Sequence, residues 1–91
     1  MRIKPNRTVV RGRVRAIRPE PDGYGAELEL EVLANESPSP DEDFLRPEPG
    51  SVLCAFLADP ELVRVDAEVR VGACLVAGPG GGRAVIESVA S

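Results

Sequence analysis

Ninety-one residues suffice for one domain with a single modest core, but not for a core plus a deep, closed active site. Apolar residues make up 43% of the chain and aromatics only 3%, so the core must be built from Val, Leu, Ile and Ala, and a surface of stacking rings is poorly supplied. The formal net charge of −4 is unevenly spread: residues 1–18 carry seven basic side chains and no acidic one, whereas from Pro19 onward four basic residues face fifteen acidic ones, a balance that would repel DNA over most of the chain.

Residues 1–6 read as a flexible basic arm, after which apolar and polar residues alternate with a period of two. Thr8 to Arg18 is the first strand, with Val10, Val14 and Ile17 apolar and Arg11, Arg13 and Arg15 polar. Val14 and Ile17 differ in parity, so a bulge is required for both to face inward, and Gly12 tolerates a bend nearby. Pro19 to Gly25, PEPDGYG, is dense in turn formers and predicts a hairpin connection. The second strand, AELELEVL, alternates without a break: Ala26, Leu28, Leu30 and Val32 face the core, and Glu27, Glu29 and Glu31 face solvent.

Asn35 to Pro49 breaks the period with four prolines and a net charge of −4, which predicts a long acidic loop or disordered chain. Ser51 to Ala58, SVLCAFLA, is almost continuously apolar, as in a strand buried on both faces or sharply curled, and Phe56 is assigned to the core. Asp59 can cap and Pro60 can begin a short helical turn before Val65. Glu68 to Ala77 and Arg83 to Val89 are the fourth and fifth strands, joined through GPGGG as a hairpin loop. Five short strands with at most one short helix, between strands three and four, predict an all-β barrel of one domain over 1–91.

VVRGRVRAI with its internal glycine, the alternating second strand, PGSVLCAFL, the Val-Arg-Val-Gly lead of VRVGACLVAG, and GRAVIESV together resemble the OB-fold family over Arg7 to Val89. The departure is the helix between strands three and four, for which only Asp59 to Val65 is available. The resemblance implies ligand binding across the middle strands and their flanking loops, often of single-stranded nucleic acid or oligosaccharide. On that implication a non-enzymatic module for single-stranded DNA or RNA is expected, with Arg7, Arg11, Arg13, Arg15, Tyr24 and Arg83 as contacts. Arg2 and Lys4 would extend the basic patch, which would bind phosphates through charge and weaken as salt rises.

Two other arrangements compete. Arginines of strand one set opposite glutamates of strand two make a charge ladder, Arg13 with Glu31 and Arg15 with Glu29, needing no ligand. Alternatively, a barrel edge or Phe44 and Leu45 in the acidic loop serve protein interaction or self-association. No cofactor, metal site or enzymatic machinery is expected: histidine is absent, GPGGGR lacks the Lys and Ser/Thr of a nucleotide loop, and DEDF lacks the spacing of a calcium loop. Cys54 and Cys74, each inside an apolar run and outside any CxxC pair, predict buried free thiols. No apolar run reaches the ~18 residues of a membrane span, and MRIKPNRT has no apolar signal centre, so a cytoplasmic location is expected.

Overall fold

The computed structural model of the chain describes residues 5–78 and 81–90. The GPGGG loop residues 79–80 and most of the basic arm, including Arg2 and Lys4, lie outside them. Five strands, β1 (Thr8–Pro19), β2 (Ala26–Asn35), β3 (Val52–Leu57), β4 (Glu68–Gly78) and β5 (Gly81–Ala90), close into one barrel in the order β1-β2-β3-β5-β4. All neighbours are antiparallel except β3 and β5, which run parallel and meet at the single register position Phe56–Val85. The all-β class and five-strand count read from the period-two pattern are those of the molecule.

Alternation fixes which side chains go inside. Val10, Val14, Leu28, Leu30, Val32 and Val71 are almost wholly excluded from water and form the middle of the core. The parity problem in β1 is resolved at Arg15, which has no partner in β2: Val14 pairs with Leu30 and Ala16 with Glu29. One extra residue there turns Ile17 back against the core. The expected pairing of Arg13 with Glu31 is present, whereas Arg15 opposite Glu29 is not, because the bulge carries Ala16 into that place. At Gly12 a Cβ would lie 2.6 Å from the Glu31 carbonyl oxygen and 2.6 Å from Leu30 Cγ, so the barrel curls where no side chain can fit.

Between β3 and β4 the expected turn is a single 3-10 turn over Pro60–Leu62, capped by the Asp59 carboxylate, which accepts from the Glu61 N–H at 3.2 Å. Val63 then closes one end of the core. β3 departs from its reading. Only Ala55 and Leu57 are buried, while Val52 and Cys54 face water and Phe56 is half-buried on the outer wall rather than in the core. Cys54 is accordingly exposed and Cys74 half-buried; both thiols are free, but neither is buried as expected.

Candidate functional site

The outer wall of the barrel divides into a charged half and a mostly apolar half that carries Arg83 and Glu87. On the charged half β1 lies between β2 and β4, so the basic end of the sequence is flanked by the acidic remainder. Arg11 sits 3.6 Å from Glu36 and 3.4 Å from Glu68, Arg15 3.5 Å from Glu31, and Arg70 2.9 Å from Glu36. Arg18 pairs with Glu29, and that hydrogen-bonded carboxylate raises its already high pKa further. Arg13 gives Nη1 to the Asp66 carbonyl oxygen at 3.2 Å. Such exposed pairs add little to stability, but they set a carboxylate beside Arg11, Arg15, Arg18 and Arg70 and so reduce the positive charge open to a phosphate backbone.

The predicted contact residues do not form one surface. Arg7 is exposed at the start of β1, its N–H bonded to the Glu42 carbonyl oxygen. Its neighbour Asn6, placed by the sequence in the arm, donates Nδ2 to the Leu75 carbonyl at 2.9 Å and accepts the Leu75 N–H at 2.6 Å. Tyr24 stands 78% exposed in the β1–β2 turn. Arg83, on β5, pairs with Glu20 from that turn and lies 4.8 Å over the Phe56 ring. An ion pair thus ties the β1–β2 turn to β5 beside the Phe56 ring.

The acidic loop is organised by Asp43, the third residue of DEDF. It is 5% exposed. Its Oδ1 accepts from Thr8 Oγ1 at 2.6 Å and from the Arg46 N–H at 2.8 Å, and Oδ2 accepts from Asn35 Nδ2 at 2.7 Å. Burial alone would push this carboxyl up, but the hydrogen bonds from Thr8, Asn35, Arg46 and Ser37 outweigh it and hold the pKa below the ordinary carboxylate value. Phe44, 37% exposed, and Leu45 follow directly; Leu45 lines an open groove of about 280 Å³ with Pro47, Val52 and Leu53.

The apolar half spans β3, β5 and the second half of β4, where Val52, Cys54, Phe56, Val85, Cys74 and Val76 face outward. Val52 is 51% and Val76 39% exposed. Desolvation, helped by Glu27 and Glu29, pushes the Cys54 thiol up, and desolvation with Glu87 does the same for Cys74. Both shifts run away from the thiolate, the reverse of what activates a cysteine nucleophile. The sequence signal for this face was present, since SVLCAFLA and ACLVA are apolar at both parities. Parity alone could not say that the second face would remain open.

Among the described residues no three His, Cys, Asp or Glu side chains gather as a metal site, and no helix is long and apolar enough to cross a membrane. Comparison of the chain with protein-family models, with curated proteins and with solved structures gives no match.

Proposed function

We propose that the chain is a non-enzymatic interaction module on an OB-like barrel whose partner is protein rather than single-stranded nucleic acid. The five-strand order with its parallel β3–β5 seam supports the OB-like architecture. The observation that carries the reading is the division of the wall. Arg11 and Arg15, two of the expected phosphate contacts, pair with glutamates on the charged side, and Arg83, a third, pairs with Glu20 on the other, where Val52, Cys54, Val85 and Val76 face outward. Single-strand binding combines a basic groove with rings that stack on bases, each worth about 1–3 kcal/mol. Here Phe56 lies under Arg83, Tyr24 stands alone on a turn, and Phe44 projects from an acidic loop.

An exposed contiguous apolar patch is the ordinary mark of a protein contact. Fluorescence anisotropy of labelled oligo-dT and oligo-U, titrated with the protein at low salt, tests the reading. No saturable change is expected. Binding at low salt that weakens steeply as salt rises overturns it and restores the arginines as phosphate contacts.

A further inference from the structure

The geometry points to a second copy of this chain as the occupant of the apolar face formed by β3, β5 and the end of β4, docked across a twofold axis through Val85. This rests on the protein-binding reading above and adds the identity of the partner. The first observation is that β3 and the end of β4, two of the three strands under this face, are apolar at both parities, a composition that belongs to strands covered on both sides. The second is that the barrel's least zipped seam, where β3 and β5 meet at one register position, runs through the middle of it. The face therefore holds both the exposed aliphatic surface and the open strand margins that proteins ordinarily cover.

Charge selects a copy over another partner. The face carries two charged groups of its own, Arg83 and Glu87, on the same strand to either side of Val85, Glu87 being the residue left without a β4 partner where the register shifts at Gly72 and Ala73. Both point outward, Arg83 over the Phe56 ring and Glu87 beside the Cys74 thiol. A twofold axis lying across the strands at Val85 sets β5 antiparallel over its counterpart. Each Arg83 then meets the partner's Glu87, and the contact repeats itself, as an isologous interface requires. Arg83 gives Nη2 to Glu20, and a guanidinium has further N–H groups for a second carboxylate. The row Phe56–Val85–Cys74 lies along the axis, so each Cys74 comes near its counterpart. An axis along the strands instead opposes Arg83 to Arg83 and Glu87 to Glu87.

The size of the face sets the strength. Three strands of about six residues present a footprint of about 300 Å² per copy, well short of the ~800 Å² of a standard stable partner. An association of that size is weak and reversible, and is to be sought at protein concentrations from about 10 μM to 1 mM.

Sedimentation equilibrium of the full chain across that range is expected to show a monomer–dimer equilibrium. Glu87→Arg and Val76→Glu, both at exposed positions, are each expected to weaken it at least about tenfold while circular dichroism stays that of the barrel. The exchange Arg83→Glu with Glu87→Arg is expected to recover dimer. A short bismaleimide, adding one thiol across each of its double bonds, should trap a covalent dimer in the natural chain and in Cys54→Ser, and not in Cys74→Ser. A chain that stays monomeric throughout the range, a Glu87→Arg variant that dimerises unchanged, or trapping through Cys54 alone overturns the proposal. Because these readouts are independent of the oligonucleotide titration, a monomer that also ignores oligonucleotides refutes the second copy and leaves the protein-binding reading standing.

Discussion

Gly12 and Gly23 separate two reasons for a glycine. At Gly12 an added methyl group meets the Glu31 carbonyl and the Leu30 side chain, neither of which can retreat without moving the core. At Gly23 the surroundings are open, but the backbone sits at φ +82°. Gly12→Ala is expected to cost about 1–3 kcal/mol through overpacking, read as a lower urea midpoint. Gly23→Ala is expected to cost about 1–2 kcal/mol from backbone strain alone and to leave the core spectroscopically unchanged. The first was legible as a bend in strand one, because a lone glycine interrupts a two-residue beat. The packing of Gly25 against Phe56, where a Cβ would fall 2.6 Å from the ring, was not, because it joins a turn to a strand 31 positions later. Among charged side chains the expectation is different: Arg15→Gln, breaking an exposed 3.5 Å pair with Glu31, should change stability by less than ~1 kcal/mol.

At the scale of elements, the segment between β2 and β3 is where sequence and structure part furthest. Four prolines and a run of acids read as solvated chain, yet Thr8, Asn35 and the Arg46 N–H converge on Asp43 and fold the segment against the end of β1. Nothing in DEDF marks its third residue, since what distinguishes it is the set of donors that β1 and β2 bring to it. The folded-state pKa of Asp43 lies below its unfolded value, so its contribution is fully present above about pH 4 and is lost as pH falls through the lowered value. Protection of the Arg7 and Arg46 amides, taken relative to their intrinsic exchange at each pH, should therefore fall in acid before that of the barrel strands. Asp43→Asn sets an amide NH₂ against Asn35 Nδ2, whose own Oδ1 is occupied by the Ser37 N–H. It is expected to cost about 1–3 kcal/mol and to remove that acid step, as read by urea unfolding at several pH values.

For the molecule as a whole, the contrast between a basic beginning and an acidic remainder disappears on folding. β1 is placed between β2 and β4, and a gradient along the chain becomes a pattern of opposite neighbours in space. With a net charge of −4 and with Arg11, Arg15, Arg18, Arg70 and Arg83 each beside a glutamate, the protein is expected to pass through a heparin column at about 0.1 M salt without retention; retention would show a cationic surface that the pairing does not quench. The barrel was legible because period two with short turns admits few architectures. That the outer sides of β3 and the end of β4 stay open to solvent was not, because an apolar strand reads alike whether its second face is covered or bare. The lone residue that steps β1 past β2 has a last consequence, for length rather than chemistry. Any side chain pointing to solvent can stand at Arg15, so a substitution library should find that position permissive. Omitting the residue altogether would rotate either Val14 or Ile17 out of the interior, and a one-codon deletion there should be among the most damaging in the chain.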